Sequence, residues 1–472
     1  MMKRYLFTAL ITAVVATNIQ AQEAKPLPSA ADQIDDLPSL PDFTGQLQQI
    51  IDQSGGNLVF VKTGVYRITK TLVFDLTKHG AAKVTSSAGV TIIMDGPGPA
   101  IKFIGSHEGT AGPKSFKPKT WNERMPIVSG IEILGNHPEA VGIELFQTME
   151  PVISGVSIRW CLHGIHLVTR NRNVTISDCH LYENSGVGIY LDDVNLHQIN
   201  VSNSHISYNR QGGIVVRDGN VRNLQVTGCD IEGNMPGDET PTKAANVLLD
   251  VSGSAGDRTH SIAEVAITGC TIQHSANYSG KKDIFAAAGG ANIRIFGKES
   301  YPINSVTITG NLISDTENNI DIIHAYDVTI AANSFFAPSS DHLTVKNSER
   351  IVVSGNSFNP RQFERPSALI FTDSRDCVIS SSTINRSLNT KGALQLNNCS
   401  GFVLNALILT NGAGGIVLDK TSDTTISSCR VSRTAEGGDD LSVSGSNKNI
   451  KLIGNSFSGN VDIDKTLLPE KK

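Results

Sequence analysis

The strongest constraint on this chain is a short pattern that recurs eleven times, in which apolar residues surround a small or amide residue. The copies begin at Val174, Ile199, Leu224, Val265, Val306, Val328, Ile351, Cys377, Phe402, Thr424 and Ile450. Most successive copies lie roughly 22 to 26 residues apart, which is too short for helical repeats and typical of one coil of a parallel β-solenoid. The repeat therefore predicts an all-β parallel β-helix of roughly a dozen coils.

One position of the repeat is shared by cysteine, serine and asparagine. It holds Cys179, Ser204, Cys229, Cys270, Asn311, Asn333, Asn356, Ser382, Leu407, Cys429 and Asn455. Such a position predicts an inward-facing ladder, where amides hydrogen bond along the stack and thiols pack as small apolar groups. The pattern favours a ladder over disulfides or metal binding, because CxxC and CxxH clusters are absent from the sequence. A second amide ladder is predicted at Asn184, Asn209 and Asn234.

The residues before the repeats carry a second signal. Leu47, Ile50 and Ile51 have helical spacing within Thr44 to Gln53, which predicts a short amphipathic helix that caps the open end of the coils. The stretch from Gly55 to Ile68 resembles the glycine-rich opening, apolar strand and Gly-Val-Tyr turn of the pectate-lyase-like superfamily. The resemblance extends to about residue 460. It implies a right-handed parallel β-helix, and its motifs are specific for fold rather than activity.

The predicted organisation along the chain has four parts. Residues 1–21 have a basic start, an apolar run and a small residue at the end, as in a secretory signal peptide. We assign residues 22–90 to an N-terminal cap and first strands, 91–460 to the β-helix and 461–472 to a C-terminal tail. The protein is therefore expected to be secreted or periplasmic, without insertion into a membrane.

The net charge of the chain limits the classes of macromolecule that it is expected to bind. The formal net charge is −5, and loss of Lys3 and Arg4 with the leader lowers it to about −7. Such a surface argues against a nucleic-acid partner, and a polyanionic glycan would need basic residues concentrated in one place. The oligomeric state stays open.

A second apolar strand precedes each repeat, and its alternation separates inward from outward side chains. Ile189 and Leu191 are expected to point inward, and Tyr190 and Asp192 outward. The outward positions form two columns across the coils. The first contains Lys102, Glu144, His166, Tyr190, Val215, Leu248, Arg294, Asp321 and Thr344, and the second contains Ile104, Phe146, Val168, Asp192, Arg217, Asp250, Phe296, Ile323 and Lys346.

These columns supply the candidate catalytic residues. Coils stack about 4.8 Å apart, so Asp192, Arg217 and Asp250 are expected to form a carboxylate, guanidinium, carboxylate stack. The two carboxylates would lie about 9.6 Å apart along the stack, near the upper limit for an inverting glycoside hydrolase. His166 adds a titratable base and Asp193 a carboxylate at the edge of the groove.

The candidate substrate-binding residues lie in the same coils. They are Glu144, Tyr190, Asp218, Arg294, Phe296, Asp321 and Lys346. Insertions at 235–245, 253–264, 276–291 and 298–303 lengthen two of these coils, and long loops on a regular solenoid commonly form binding walls. The alternative is an exposed ion ladder, worth about 1 kcal/mol or less per pair.

In the β-helix enzymes that this chain resembles, a glycan lies along the outward face of one sheet. The resemblance therefore implies an exported carbohydrate-active enzyme, a polysaccharide lyase or glycoside hydrolase, with a polysaccharide or oligosaccharide as its partner. A lyase needs a base and a cation that neutralises a uronate carboxylate. Arg217, Arg294 or Lys346 would serve here, with Ca²⁺ a candidate cofactor on Asp192 and Asp250. A noncatalytic glycan-binding or adhesin-like protein and a transglycosylase such as a fructotransferase remain alternatives.

Overall fold

A computed structural model provides the structure of this protein and describes residues 37–110, 117–237, 241–253, 260–275, 288–361, 363, 365–432 and 438–463. The predicted signal peptide at 1–21 and most of the predicted tail lie outside the described residues. So do parts of three of the predicted insertions, at 238–240, 254–259 and 276–287.

The predicted N-terminal helix is confirmed as α1, Thr44–Gln53. Leu47 and Ile51 are buried against the first coil, whereas Ile50 is exposed. Two further α-helices in the described part are one turn long, α2 at Leu76–His79 and α3 at Pro118–Trp121, and a 3-10 turn covers Leu37–Ser39. None of the helices in the described ranges has the length and apolarity to cross a bilayer.

The strands form three parallel faces of one β-helix. The first, the short-strand face, is a 15-stranded sheet with one strand per coil. Its strands are Gly64–Ile68, Val90–Met94, Glu132–Gly135, Ser157–Arg159, His180–Tyr182, His205–Ser207, Asp230–Glu232, Thr271–Gln273, Leu312–Ser314, Ser334–Phe336, Ser357–Asn359, Thr383–Asn385, Ile408–Thr410, Arg430–Ser432 and Ser456–Phe457. The all-β parallel β-helix is confirmed, with 15 coils rather than roughly a dozen because the first coils lack the repeated pattern.

The other two faces make up a 28-stranded sheet. The groove face consists of Leu72–Asp75, Gly98–Ile104, Ala140–Met149, His163–Ser177, Val187–Ser202, Gly212–Arg217, Ala245–Asp250, Ala291–Phe296, Asn318–Ile323, Asp341–Lys346, Leu369–Thr372, Leu394–Asn397, Ile416–Asp419, Leu441–Ser444 and Val461–Asp462. The third face consists of Asn57–Phe60, Lys83–Ser86, Ile127–Ser129, Val152–Ser154, Asn220–Thr227, Ser261–Thr268, Ile303–Thr309, Ala325–Ala331, Glu349–Ser354, Val378–Ser380, Val403–Asn405, Ser422–Ser427 and Lys448–Ile453. The two strands His163–Ser177 and Val187–Ser202 run through both faces.

Alternation along each strand builds the core. Ile189 and Leu191 are fully buried as expected, and their counterparts in neighbouring coils form one continuous apolar column. The chain turns between faces at single residues with left-handed backbone, such as Asp193 at φ 42° and Asn203 at φ 49°. Asp and Asn tolerate this region better than most residues, which explains their frequency at the corners.

Both predicted ladders are present inside the coils. The Asn184 side chain donates to Asn209 Oδ1 at 2.8 Å, and Asn209 donates to Asn234 Oδ1 at 2.7 Å. In the mixed ladder, the backbone N–H of Cys270 donates to Asn311 Oδ1 at 2.9 Å. All seven cysteines are buried with free thiols. The amides therefore satisfy the buried backbone groups of the turns, as they must in a dry interior.

Replacement of Asn209 by alanine is expected to destabilise the fold. The change leaves the N–H and side chain of Asn184 and the carbonyl of Leu181 without their partner, at a cost of about 1–3 kcal/mol for each buried group. Urea denaturation of N209A measures the loss. The control N200A removes an exposed amide from the same coil, and equal stability of the two variants would contradict the structural role of the ladder.

Candidate functional site

The structure confirms the register of both predicted columns on the groove face. Lys102 pairs with Glu144, and the column continues through His166, Tyr190, Val215, Leu248, Arg294, Asp321 and Thr344. The second column likewise brings Asp192, Arg217, Asp250 and Phe296 into consecutive coils. The candidate residues therefore share one outer face, and their side chains form two clusters on it.

The histidine cluster consists of Lys102, Glu144, His166, Tyr190 and Asp192. His166 Nε2 lies 3.1 Å from Asp192 Oδ2, and His166 Nδ1 lies 3.5 Å from Glu144 Oε2. Lys102 Nζ lies 2.7 Å from the other oxygen of Glu144. The Tyr190 ring stacks on the His166 ring with 5.3 Å between centroids and an interplanar angle of 11°. An imidazole is thus held between two carboxylates under an aromatic ring.

The neighbours of His166, Asp192 and Glu144 favour the charged form of each of these side chains. Burial lowers the pKa of His166, but hydrogen bonds to Asp192 and Glu144 outweigh it and raise that pKa to about 9. The hydrogen bond from His166 lowers the pKa of Asp192, and the same partner lowers the pKa of Glu144. Burial and the charge of Asp192 raise the pKa of Tyr190 to about 12. At neutral pH the site therefore holds an imidazolium, two carboxylates and a neutral phenol.

His163 also belongs to this neighbourhood and was not among the sequence candidates. Its ring lies 5.0 Å from that of Tyr190, and its Nδ1 accepts a hydrogen bond from the N–H of Val187 at 3.1 Å. Burial and the charge of His166 lower its pKa to about 4, so the neutral ring carries its proton on Nε2. The signal in the sequence was the His163-Gly164-Ile165-His166 spacing.

An apolar patch interrupts the predicted groove. Val215 and Leu248 are outward in register but only 1% and 2% exposed, because they pack with Val187, Ala245 and Ala291. Tyr190 packs against the edge of this patch. Alternation correctly predicted the direction of these side chains, but it carries no information about how deeply they are buried.

The arginine cluster lies beyond the patch and consists of Arg217, Asp250, Arg294, Phe296 and Asp321. Arg294 is 3% exposed, its Nε lies 3.3 Å from Asp321 Oδ2 and its guanidinium lies 4.9 Å from the Phe296 ring. It also donates to the carbonyls of Gly289 and Ala244. The donors of Arg294 are occupied by the protein, which suits a role in fixing the inserted segments.

Asp192, Arg217 and Asp250 lie at the same position of three successive coils, as expected. Arg217, however, contacts only one of the two carboxylates. Arg217 lies 3.6 Å from Asp250 Oδ2, and no ion pair within 4.0 Å joins it to Asp192 in the described part of the chain. Asp250 also accepts hydrogen bonds from the N–H and hydroxyl of Ser252, at 2.9 and 2.6 Å. The Arg217 side chain is about half exposed, so its guanidinium can reach a ligand.

The remaining candidates lie at the rim. Asp193 and Asp218 occupy left-handed corners, at φ 42° and 56°, and the Asp218 N–H donates to the carbonyl of Asp250. Lys346 is exposed at the end of its strand, next to Ile323 in register. These three side chains border the groove face without joining either cluster.

A polar cleft of about 630 Å³ lies at the corner between the groove face and the third face. Its lining includes Glu299, His324, Tyr326, Asn347, Glu349, Asp373 and Asn398. Several of these residues occupy left-handed corner positions, where His, Asn and Asp are favoured by the backbone. The cleft is a separate feature from the two predicted columns.

Two family models match separate parts of the chain. The model described as "Right handed beta helix region" matches residues 127–255. The model described as "Periplasmic copper-binding protein (NosD)" matches residues 264–466. No curated protein matches the chain.

Several solved structures resemble the chain. The mannuronan C-5 epimerase AlgE6 A-module of Azotobacter vinelandii is 12% identical over 84% of this chain and 97% of its own, with a TM-score of 0.45. The surface adhesin PfbA of Streptococcus pneumoniae is 13% identical over 88% of both chains, with a TM-score of 0.44. The DFA-IIIase of Arthrobacter chlorophenolicus A6 is 11% identical over 90% of this chain and 94% of its own, with a TM-score of 0.40. Likenesses this distant say nothing about activity.

The copper named in the second family description finds no matching ligands in this structure. Copper sites use clustered thiolate, thioether and imidazole groups. Within residues 264–466 the cysteines lie buried inside the coils, and the sequence has no methionine after Met235. No group of three or more His, Cys, Asp or Glu side chains in the described residues is arranged to hold a metal ion. The residues present do not fit copper.

The ion pairs of His166 predict a defined pH dependence. A pKa raised from 6.5 to about 9 gives stabilisation that is complete below pH 6.5 and lost as pH rises through 9. The lowered pKa values of Glu144 and Asp192 remove the same stabilisation in acid, below their ordinary values of 4.5 and 3.8. Urea denaturation should therefore show the largest difference between wild type and H166Q near pH 6 and a much smaller one at pH 10. A difference that stays the same from pH 6 to pH 10 would contradict the charged bridge, and H180Q, at an exposed position of the short-strand face, controls for the loss of a histidine.

The family match and the structure agree on a parallel β-helix. The model matches residues 127–255, successive coils pair in parallel register, and amide ladders run inside the coils. Its handedness follows from the family that the model describes. The chain therefore has the fold of a right-handed parallel β-helix, built from repeated coils.

Proposed function

We infer that this protein is an exported carbohydrate-active enzyme that cleaves an acidic polysaccharide by elimination at the histidine cluster. The proposal rests on one observation above all, the His166 imidazolium held between Glu144 and Asp192 beside the Tyr190 phenol. Its location outside the cytoplasm is supported by the predicted leader and by the word "periplasmic" in the second family description.

Elimination suits these groups better than hydrolysis does. An inverting glycosidase needs one carboxyl group that keeps its proton at working pH, which requires a raised pKa. The pKa of Asp192 is lowered by His166, and Asp250 is held by Ser252 and Arg217. Asp192 is therefore not placed in the environment that a general acid needs.

Each exposed group has a role in the proposed elimination. Arg217 and His166 neutralise the uronate carboxylate, which acidifies the proton on the adjacent ring carbon. Asp192 accepts that proton, and Tyr190, whose pKa of about 12 keeps it protonated, donates a proton to the departing glycosidic oxygen. The carbon–oxygen bond breaks as the ring double bond forms, so the product carries an unsaturated uronate. Arg294 is too enclosed to act as the base.

Calcium remains a candidate cofactor. Asp192 and Asp250 carry oxygen ligands of the type that Ca²⁺ prefers, but they lie two coils apart with Arg217 between them in register, so an ion would be held by one of them and by oxygens of the substrate, whose uronate charge it would neutralise. The activity is therefore to be measured both with and without added Ca²⁺.

The test is turnover of a panel of uronate-containing and neutral polysaccharides. Ultraviolet absorbance and reducing ends should rise together for the wild type, since each elimination creates one of each. We expect D192N and Y190F to reduce the rate by roughly a hundredfold or more, the usual contribution of a positioned proton-transfer group. D419N is the matched control, because Asp419 occupies the same column six coils from Asp250, next to the uncharged Asn397 and Ser444.

The outcomes separate the candidate reactions. Reducing ends without absorbance would indicate hydrolysis and contradict elimination, and cyclic or transferred products would indicate a transglycosylase. Unchanged activity in D192N would exclude the histidine cluster as the active site.

A noncatalytic glycan-binding role is the second candidate. The observation in its favour is that charges alternate along the column and that most are paired, as with Lys102 to Glu144 and Arg294 to Asp321. Such a ladder stabilises or binds without turnover. Saturable binding of a polysaccharide without any product over long incubation would favour this role.

A further inference from the structure

A separate set of basic residues lies around the corner from the groove face. Arg172, His197 and Arg222 pair in register across three successive coils, on the short segment that leads to the third face. Arg170 lies two residues before Arg172 on the same strand. The four side chains, together with His107 from the segment after the strand Gly98–Ile104, are called the basic edge.

In the part of the chain that the structure describes, the arginines of the basic edge donate hydrogen bonds to neutral groups. Arg172 donates to the carbonyls of Asn171 and Asn195 at 2.8 Å each and to Asn195 Oδ1 at 2.7 Å. Arg170 donates to the carbonyl of Gly109 at 3.1 Å, and Arg222 to that of Val221 at 3.4 Å. Among the described residues no ion pair within 4.0 Å involves any of the three.

Two buried polar atoms at the basic edge have no partner. Arg172 and His107 are each 3% exposed, and neither Arg172 Nε nor His107 Nε2 has a hydrogen-bond partner in the described part of the chain. Arg170, His197 and Arg222 are half-buried, so their side chains remain within reach of solvent. An unpaired buried donor, here Arg172 Nε, beside reachable cations is what an absent anionic ligand would leave behind.

The nearby carboxylates are engaged elsewhere. Glu123 accepts hydrogen bonds from the N–H and hydroxyl of Ser106, both at 2.7 Å. Glu264 accepts from the side chain of Asn223 at 2.5 Å. Both carboxylates keep their negative charge and act on His107 and His197 at longer range, but among the described residues neither forms an ion pair with an arginine of the basic edge.

Mutual repulsion supports the same conclusion. Burial and the charge of Arg170 lower the pKa of Arg172 to about 10. Burial and the charge of Arg172 also lower the pKa values of His197 and His107. An anion at this position would relieve the repulsion and satisfy the free donors.

We propose that Arg170, Arg172, His197 and Arg222 form an oxyanion-binding site that is distinct from the histidine cluster. Its ligand is a carboxylate, sulfate or phosphate group, either as a free ion or on an acidic glycan. Guanidinium groups recognise all three through paired N–H donors, and the half-buried setting strengthens each contact. The site does not depend on whether the groove face cleaves its substrate.

Isothermal titration calorimetry at low ionic strength tests the site, with inorganic sulfate, oligogalacturonate and a neutral oligosaccharide of equal length as probes. The wild type is expected to bind at least one of the two anionic probes saturably and the neutral oligosaccharide not at all. R222Q and R170Q, which alter reachable side chains and spare buried Arg172, should weaken binding roughly tenfold each, about 1.4 kcal/mol, because each removes a charge-assisted hydrogen bond to the anion. R430Q, an exposed arginine on the short-strand face, is the matched control and should bind as the wild type does.

Each outcome decides the proposal or its ligand. Binding of sulfate alone assigns a free inorganic anion, and binding of oligogalacturonate assigns the acidic groups of a glycan. Unchanged affinity in D192N would show that the basic edge acts apart from the histidine cluster, so that failure of one proposal leaves the other measurable. No saturable binding of either anion, or equal weakening in R430Q, would overturn the proposal.

Discussion

The parallel in-register stacking of coils is the constraint on which every other feature depends. Backbone hydrogen bonds between neighbouring coils fix the spacing at about 4.8 Å, so a side chain at one position faces the same position in the next coil. Inside, this arrangement turns single asparagines such as Asn209 into ladders that satisfy the buried turns. Outside, it brings ionisable residues from distant parts of the sequence into contact. His166 meets Glu144 and Asp192 only because three coils share one register.

Charge is organised differently on neighbouring surfaces of this scaffold. On the groove face, cations and anions alternate and pair, which holds the His166 imidazolium in place. At the basic edge, Arg172 and Arg222 are in register with His197, and in the described ranges neither arginine forms an ion pair with a carboxylate. A paired cluster is suited to moving protons between fixed groups, whereas arginines without an ion-pair partner are suited to holding an anion. The two surfaces thus differ in the chemistry that they offer to a ligand.

Much of the fold was predictable from the sequence because its signals are local and repeated. The periodicity indicated the coils, the alternation around Tyr190 indicated which side chains face outward, and the spacing of Leu47 and Ile51 indicated the capping helix. The site was less predictable. Val215 is buried by apolar neighbours on its own face, and Arg294 bonds to the carbonyls of Ala244 and Gly289 outside the strands; no periodic signal describes either set of contacts.

The repeat of the sequence likewise could not predict contacts made at the corners or by segments outside the strands. His163 precedes the alternating part of its strand, so its approach to Tyr190 had no periodic signal. The burial of Arg172 beside His107 requires the segment after Ile104 to fold back onto a strand about 60 residues further along. Arg217 pairs with Asp250 and not with Asp192 because of its side-chain rotamer, and the register of the strands does not determine the rotamer.

The central claim is that the outward columns of the groove face form the surface that meets the glycan. Hydrogen exchange followed by mass spectrometry, with and without an acidic oligosaccharide, tests it directly, because a ligand across the coils slows local opening of the strands beneath it. The account predicts added protection in the strands Val187–Ser202 and Gly212–Arg217. Protection confined to the short-strand face, or none at saturating oligosaccharide, would contradict it.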